Sequence, residues 1–276
     1  KGDIRNEELF KNVINGIDIV IHLACISNDP SFELNPNLGK SINLDSFTPL
    51  VEISRNFGVS RFIFASSSSV YGIKNVPNVH EDMNLEPLTD YSKYKAECEN
   101  ILFNYQSNDF TTVVIRPATV CGYSPRQRLD VVVNIFTNYA YHKRHINVLG
   151  GNQLRPNINI KDMINAYKLI IKAPKNIVEG QIFNAGYENQ TVLDLANTVK
   201  QVIGNDVKLN IVQTDDNRSY HISSKKIAKL LGFKTNYNIS DAVGDLKKAF
   251  QDNLLEDSFN NAKYFNIKKM QLLNLK

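Results

Sequence analysis

Residues 61–72, RFIFASSSSVYG, join a short apolar run to a row of serines and a glycine. The run at 61–66 has the continuous apolar character of a strand that is buried on both faces of a parallel sheet. Two similar runs lie on either side of it in the sequence, DIVIHLA at 18–24 and TTVVIR at 111–116. These three runs predict three buried parallel strands.

The segments between these runs are typical of helices. Residues 41–57 and 90–107 carry apolar residues at three- and four-residue steps, and Asp90 is a predicted N-cap. Strand, helix, strand, helix, strand is the signature of an α/β fold with a parallel sheet. Because the strands are parallel, their carboxyl ends share one edge, and ligands bind at that edge in open α/β sheets.

The second half of the chain is less regular. A helix over 161–172 is predicted to begin at Asp162, one over 191–203 at Thr191, and one over 223–233 to end at Gly232. The remaining predicted elements are a helix over 129–142 and strands over 146–149, 181–186 and 208–213.

Composition excludes several classes of protein. The chain has 276 residues, 42% of them hydrophobic, with a net charge of +4. It has no run of about 18 apolar residues, which argues against a membrane protein, and its small charge excess argues against a nucleic-acid partner. Three cysteines without a C-x-x-C pair predict no disulfide framework and no metal site, and favour a cytoplasmic protein.

The segment Tyr91-Ser92-Lys93-Tyr94-Lys95 carries a candidate catalytic pair. Tyr91 and Lys95 are four residues apart on a predicted helix, so their side chains share one face. An ammonium group close to a phenol lowers the pKa of the phenol, which predicts that Tyr91 is a general base. Two other pairs have the same spacing, Tyr139/Lys143 and Tyr264/Lys268, but neither follows a serine-tipped strand, and both are interpreted as surface residues.

Two arginines are candidate ligands for phosphate groups. Arg155 lies in LRPNINIKD at 154–162, and Arg218 lies in DDNRSY at 215–220. A guanidinium group forms paired, charge-assisted hydrogen bonds with a phosphate.

Taken together, these segments resemble the extended short-chain dehydrogenase/reductase superfamily, and in particular its NAD-dependent nucleotide-sugar epimerases and dehydratases. The resemblance runs from Gly2 to about Phe233. It implies a Rossmann-type domain and a transient oxidation of the sugar by NAD. It also implies that Ser67, four residues before the Tyr of V-Y-G, is catalytic together with Tyr91 and Lys95. The residues that it implies contact the cofactor are Asp3, Ile4, Leu23, Ala24, Cys25, Asn43, Ala65, Ser66, Tyr91 and Lys95.

The same resemblance implies a nucleotide-sugar site made of Ser67, Ser69, Thr119, Asn147, Leu149, Arg155 and Arg218. Dehydratases of the family place Asp-Glu after the catalytic Thr, where this chain has Ser68 and Ser69. A serine hydroxyl is a poor acid at neutral pH, which favours an epimerase that works through a 4-keto sugar. Thr119 stands where the family often has Asn, and Cys121 where it often has Tyr.

The glycine-rich G-x-x-G-x-x-G loop that opens this family is absent from the 276 residues. We therefore expect that the N-terminal strands of the Rossmann domain are missing and that the chain is a fragment. The alternatives are a non-catalytic sugar-nucleotide-binding protein with a decayed cofactor site, or a nucleotide-sugar reductase or decarboxylase of the same superfamily.

The resemblance also implies how the chain divides. Residues 1–116 and 160–187 are predicted to be the remainder of the NAD-binding Rossmann domain. Residues 117–159 and 188–260 are predicted to form a smaller α/β domain that binds the nucleotide sugar. Residues 261–276 are predicted to be a C-terminal tail, and the full-length protein is expected to be a homodimer.

Overall fold

The computed structural model describes residues 1–74, 76, 78–214, 219 and 221–274. Strands and helices alternate through most of the described chain. The strands are β1 (Ile19–His22), β2 (Arg61–Ala65), β3 (Thr111–Pro117), β4 (Thr119–Cys121), β5 (His145–Leu149), β6 (Leu154–Asn159), β7 (Gln181–Ala185), β8 (Glu188–Thr191) and β9 (Lys208–Val212). The α-helices are α1 (Glu7–Ile14), α2 (Asp29–Glu33), α3 (Pro36–Lys40), α4 (Phe47–Asn56), α5 (Asp90–Asn104), α6 (Val132–Lys143), α7 (Ile160–Lys172), α8 (Lys175–Val178), α9 (Val192–Ile203), α10 (Lys225–Leu231), α11 (Ile239–Gln251) and α12 (Asn266–Leu273).

The largest sheet is parallel and has the order β1-β2-β3-β7. Its middle strands are apolar on both faces: Phe62, Ile63 and Phe64 are almost completely buried. One face packs against α4 and α5 around Phe47 and Leu102, and the other packs against α7. The continuous apolar runs are therefore explained by helices that cover both faces of the sheet, as the sequence predicts.

Two smaller sheets follow. In one, β6 pairs with β4 in parallel and with β8 antiparallel; in the other, β5 pairs with β9 in parallel. Helices α6, α9 and α11 pack together beside β5 around a second apolar core that includes Val133, Leu195 and Val243. A Rossmann-type sheet accompanied by a smaller α/β unit is thus the observed architecture.

Several helix boundaries differ from the sequence-based predictions. The N-cap of α5 is Thr89 rather than Asp90, because Thr89 and Ser92 form a reciprocal capping box. The N-cap of α7 is Asn159, and Asp162 instead accepts hydrogen bonds from the backbone of Asn236 and Tyr237. The start of α9 at Thr191 and the end of α10 at Gly232 are as predicted.

The C-terminal segment packs against the rest of the chain. Residues 262–264 form a 3-10 helix in which Tyr264 is only 3% exposed. The prediction that Tyr264 is a surface residue is therefore wrong. Helix α12 packs against α2, so the segment predicted as a tail lies against the N-terminal half. None of the described helices is both long and apolar enough to cross a membrane.

Candidate active site

The carboxyl ends of β1, β2, β3 and β7 lie at one edge of the main sheet, as its parallel register requires. The loop after β1 places Leu23 and Ala24 in an exposed position and Cys25 in a partly buried one. Leu23 is 58% exposed and directly follows β1, in which only His22 is buried. The predicted cofactor-contacting residues of this loop therefore present an apolar surface to the edge where a ligand binds.

A turn of serines follows β2. Ser67 is the N-cap of a 3-10 helix over Ser68–Tyr71, and its hydroxyl accepts a hydrogen bond from the Ser69 backbone at 3.1 Å. The Ser67 and Ser69 hydroxyl oxygens are 2.8 Å apart. Ser66 and Ser68 are buried. The turn thus separates two serines that are accessible at the sheet edge from two that are not.

The turn ends at Gly72, whose φ of +67° is strained for any residue with a side chain. A Cβ added there would lie 2.1 Å from the Glu86 carbonyl oxygen. We expect Gly72→Ala to lower the free energy of unfolding by at least ~1–3 kcal/mol, measured by urea denaturation. Gly58→Ala is the matched control, because Gly58 has φ of +82° but no neighbour within 4 Å of an added Cβ. Equal losses of unfolding free energy in both variants would show that the close contact with Glu86 does not contribute to the destabilisation.

Lys95 lies on α5 under the end of β2. Lys95 is 5% exposed, and its ammonium group donates a hydrogen bond to the Ala65 carbonyl oxygen at 2.7 Å. The same nitrogen is 5.9 Å from the centre of the Tyr91 ring and 4.7 Å from that of Phe64. Burial, followed by the charge of Lys95, lowers the pKa of His22 to about 3, so His22 is neutral. Tyr91 and Lys95 therefore face the strand ends from one side of α5.

The pKa of Tyr91 is the main correction to the sequence-based account. Burial raises it, and the electrostatic interaction with the Cys25 side chain raises it further. A hydrogen bond with the Ser67 side chain and the charge of Arg128 lower it. The prediction that Lys95 brings this pKa towards neutrality is wrong for the protein without cofactor, because burial dominates over the nearby cations.

A buried ion pair that the sequence-based account overlooked lies behind the serine turn. Arg116 donates to Glu99 with 2.6 Å between Nη2 and Oε2, and the two side chains are 3% and 2% exposed. The Ser66 hydroxyl donates to the same carboxylate, so this predicted cofactor ligand points its side chain away from the edge. The available signal was the spacing of Tyr91, Lys95 and Glu99, which follow one another every four residues on one face of α5.

This ion pair extends to the far end of the serine turn. Arg116 donates from Nη1 to the Tyr71 hydroxyl oxygen at 2.7 Å, and that hydroxyl donates to Asn184 Oδ1 at 2.8 Å. Asn184 in turn donates from its backbone to Glu81 at 2.7 Å. The network fixes both ends of the turn that carries Ser67.

Asn43 fastens the loop after β1. It lies in a π-helical turn, Ser41–Asp45, and is 7% exposed. Its side chain accepts a hydrogen bond from the Ile26 backbone N–H at 2.8 Å and donates to the Ile26 carbonyl oxygen at 2.9 Å. The structure thus gives this predicted cofactor residue a local partner, next to Cys25.

The first residues form a further candidate surface. Asp3 and Arg5 are joined by an ion pair of 2.6 Å. Ile4 and Arg5 line an open cleft of about 220 Å³, together with Ser41 and Pro49. An apolar side chain beside hydrogen-bonding groups suits a purine ring, which is the contact predicted for Asp3 and Ile4.

The residues of the site fit the ribose–nicotinamide end of NAD. Among the described residues, Lys95 Nζ has a single acceptor, Ala65, so two of its three N–H bonds remain for hydroxyl groups of a ribose. The centre of the Tyr91 ring lies 5.9 Å from the same nitrogen, and Leu23 offers an apolar surface for a ring. This donor set matches a cofactor with polar ribose groups and a flat ring.

The residues predicted to bind the nucleotide sugar lie on the smaller sheets. Thr119 is on β4, opposite Asn157 of β6. Asn147 and Leu149 lie on the exposed face of β5, and Leu149 is 55% exposed. Arg155 lies on β6, where its Nη1 donates to the Leu154 carbonyl oxygen at 3.1 Å.

Arg218 lies outside the described residues. Its neighbour Ser219 accepts a hydrogen bond at its side-chain oxygen from the Leu154 backbone at 3.0 Å. The segment after β9 therefore meets the start of β6, directly beside Arg155.

Comparisons with known proteins agree with this geometry. The sequence model of the NAD dependent epimerase/dehydratase family matches residues 1–186. The Uncharacterized UDP-glucose epimerase YtcB of Bacillus subtilis is 29% identical over 205 residues, which are 72% of this chain and 63% of the relative. A dTDP-D-glucose 4,6-dehydratase of Dictyostelium discoideum is 27% identical over 215 residues, which are 72% of this chain and 48% of the relative. The chain thus spans about half to two thirds of the length of these curated relatives.

A solved structure shows the same fold. The UDP-glucose 4-epimerase of Thermotoga maritima, solved with UDP-glucose, superposes with a TM-score of 0.83. The match has 23% sequence identity and covers 92% of this chain and 84% of that chain. The four-stranded parallel sheet and the smaller unit beside it are therefore those of the epimerase fold.

Proposed function

The chain belongs to the NAD dependent epimerase/dehydratase family, and from that membership we propose that the protein is an enzyme that epimerises a nucleotide sugar through a transient 4-keto intermediate. The observation that carries the proposal is the grouping of Ser67, Tyr91 and Lys95 at the carboxyl edge of the parallel sheet. The curated relatives include an epimerase and a dehydratase, so the choice between these reactions depends on residues of this chain.

The proposed roles follow from the contacts of each side chain. The Tyr91 hydroxyl, once ionised, accepts the proton of the sugar hydroxyl. Ser67, whose side chain lowers the pKa of Tyr91, binds the same sugar oxygen while the O–H bond of the sugar breaks and a C=O bond forms. Lys95 holds the ribose with its free N–H bonds. NAD, when bound beside Lys95 and Tyr91, would supply the acceptor for the hydride that leaves the sugar carbon.

The serine turn favours epimerisation over dehydration. Elimination of water requires an acid that protonates the leaving hydroxyl and a base that removes a carbon-bound proton. Ser68 is 3% exposed, and Ser69 is hydrogen-bonded to Ser67. Neither position offers a carboxyl group, so the site contains a base for alcohol oxidation beside hydroxyls that only orient the sugar.

We extend the proposal to the division of the chain. Residues 1–116 and 160–187 bind NAD, and residues 117–159 and 188–260 bind the nucleotide sugar. The homodimer and the cytoplasmic location predicted from the sequence belong to the same proposal.

The test is a panel of UDP- and dTDP-sugars incubated with the protein as its complete gene encodes it, with products separated by chromatography and mass spectrometry. An epimerase yields a new peak of unchanged mass. A dehydratase product lacks the mass of water, a decarboxylase product lacks the mass of carbon dioxide, and a reductase consumes reduced cofactor in proportion to product. Any of the last three results overturns the proposed reaction. Binding without turnover supports the non-catalytic alternative.

Arg155 gives a separate prediction about substrate binding. If Arg155 binds the diphosphate, Arg155→Ala should weaken nucleotide-sugar binding by ~1.5–3 kcal/mol, the range for a hydrogen bond to a charged group. Isothermal titration calorimetry measures this loss. Arg55→Ala is the control, because Arg55 is an exposed residue at the end of α4. Equal affinity of the wild type and Arg155→Ala for every nucleotide sugar that binds would remove Arg155 from the site.

A further inference from the structure

A cavity of about 140 Å³ lies between the loop that follows β4 and the C-terminal segment of the chain. The loop contributes residues 123–127, and the C-terminal segment contributes residues 254–255, 263–264 and 269. We call this space the C-terminal cavity. None of the residues assigned above to the cofactor, to the nucleotide sugar or to catalysis lines it, so it is separate from the candidate active site.

The lining of the C-terminal cavity is positively charged. Its three cationic side chains are those of Arg126, Lys263 and Lys269, and no carboxylate lines it. None of the three is in an ion pair with a described carboxylate. Cations close by in the sequence are paired: Arg128 lies 2.8 Å from Asp130, and Lys248 lies 2.7 Å from Asp252. The cavity therefore gathers positive charge that the described part of the protein does not compensate.

The walls of the cavity are held in place by hydrogen bonds. Arg126 donates from Nη2 to Asn266 Oδ1 at 3.0 Å and from Nη1 to the Gln127 carbonyl oxygen at 3.3 Å. The Leu129 backbone N–H donates to the Tyr264 carbonyl oxygen at 2.9 Å, which joins the loop to the 3-10 helix. The Arg126 guanidinium is thus oriented before any ligand arrives, and further N–H bonds of its five remain for one.

Tyr264 adds a hydrogen-bonding group with no acceptor. It lines the cavity and is 3% exposed, and its buried hydroxyl has no hydrogen-bond partner among the described residues. The Lys263 ammonium lies 4.8 Å from the centre of the Tyr264 ring. A buried hydroxyl without a partner is unfavourable, and an acceptor bound in the cavity would remove that cost.

We propose that the C-terminal cavity binds a phosphate group, either as inorganic phosphate or as the phosphate end of a phosphate monoester. Arginine and lysine are the side chains that bind phosphate in proteins, and three cations suit a dianion better than a carboxylate. The volume lies below the ~300–1,000 Å³ of pockets that enclose drug-sized ligands, so it admits a phosphate group but not a whole nucleotide sugar. The inference is independent of the proposed reaction.

Isothermal titration calorimetry on the protein as its complete gene encodes it tests the proposal, with sodium phosphate and glucose 6-phosphate as the two probes. Sodium chloride keeps the ionic strength constant. The double variant Lys263→Gln/Lys269→Gln should weaken phosphate binding at least ~10-fold, because it removes two charge-assisted hydrogen bonds. Lys268→Gln is the matched control: Lys268 is also on α12, but it donates to the Phe259 carbonyl oxygen at 2.6 Å and does not line the cavity. Its affinity should be that of the wild type.

Tyr264→Phe removes only the hydroxyl and separates ligand binding from a structural role. Because that hydroxyl has no partner, the variant without phosphate should unfold at the wild-type temperature or above it. The rise in Tm that phosphate produces should be smaller than in the wild type. A variant that unfolds at a lower temperature than the wild type and gains as much from phosphate would show that the hydroxyl is structural, which contradicts the proposal.

The remaining outcomes also decide the matter. Tighter binding of glucose 6-phosphate supports a monoester, and tighter binding of inorganic phosphate supports the free ion. Binding of neither probe overturns the site, as does an equal rise in Tm with sodium chloride alone. Arg155→Ala should bind phosphate as the wild type does. Loss of phosphate binding in Arg155→Ala, with wild-type binding in Lys263→Gln/Lys269→Gln, would place the phosphate in the nucleotide-sugar site and overturn the proposal.

Discussion

Tyr91→Phe should lower kcat by at least ~10²-fold, the lower range for loss of a general base. The variant lacks the hydroxyl that we propose accepts the sugar proton, but it keeps the ring that packs against Ile26 and Phe32. Binding of the nucleotide sugar should change little, since the phenol acts mainly in the transition state. The measurement is steady-state turnover of the protein encoded by the complete gene, together with calorimetric binding of the same nucleotide sugar.

Tyr139→Phe is the control, because Tyr139 and Lys143 have the same spacing on α6 as Tyr91 and Lys95 on α5. Tyr139 is 37% exposed and packs edge-on against Phe259. This variant should turn over at the wild-type rate. Wild-type turnover of Tyr91→Phe would remove Tyr91 from the mechanism, whatever its position in the structure.

The dependence of activity on pH should reflect the pKa of Tyr91. Burial, and to a smaller extent the interaction with the Cys25 side chain, raises the pKa of Tyr91 in the protein without cofactor, and Ser67 and Arg128 lower it. The phenolate is therefore disfavoured at low pH, and activity should fall as pH decreases. The positively charged nicotinamide ring of oxidised NAD, when bound near Tyr91, would act in the same direction as Arg128.

The parts of the fold that the sequence predicts are those determined by local pattern. The strands β2 and β3 are short apolar runs buried on both faces, and such a run needs no partner to be recognised. The prediction that β1 is buried in the same way is wrong, because β1 is an edge strand of the described sheet and only His22 of its four residues is buried. Helix α9 has a clear apolar face and its own cap, Thr191. Strands β4 and β6 escaped prediction because one has three residues and the other, LRPNIN, is polar and lacks alternation.

The parts of the site that the sequence does not predict depend on contacts between distant residues. Asn266 reaches Ser27 across 239 positions, and no periodicity reports such a contact. The pKa of Tyr91 likewise depends on burial and on Cys25 and Arg128. The spacing in the sequence identifies only one of the charged groups near Tyr91, namely Lys95. Local spacing therefore identifies the candidate catalytic pair but not the charges around it.

Glu99→Leu should lower the free energy of unfolding by ~3–5 kcal/mol, because it leaves the Arg116 guanidinium buried without its counter-charge. Both side chains are at most 3% exposed, and Glu99 also accepts the hydrogen bond of Ser66. Urea denaturation monitored by circular dichroism measures the loss. Turnover should fall as well, since Arg116 also donates to Tyr71 at the end of the serine turn.

Two further variants separate the desolvation penalty from the attraction within the ion pair. The double variant Glu99→Leu/Arg116→Met should recover much of the stability, because a buried pair replaced by apolar side chains is often tolerated. Lys161→Met breaks the ion pair of Lys161 with Asp245, whose side chains are 44% and 32% exposed, and should cost no more than ~1 kcal/mol. A loss in Glu99→Leu as small as that in Lys161→Met would mean that water reaches Arg116 and that the serine turn does not depend on this pair.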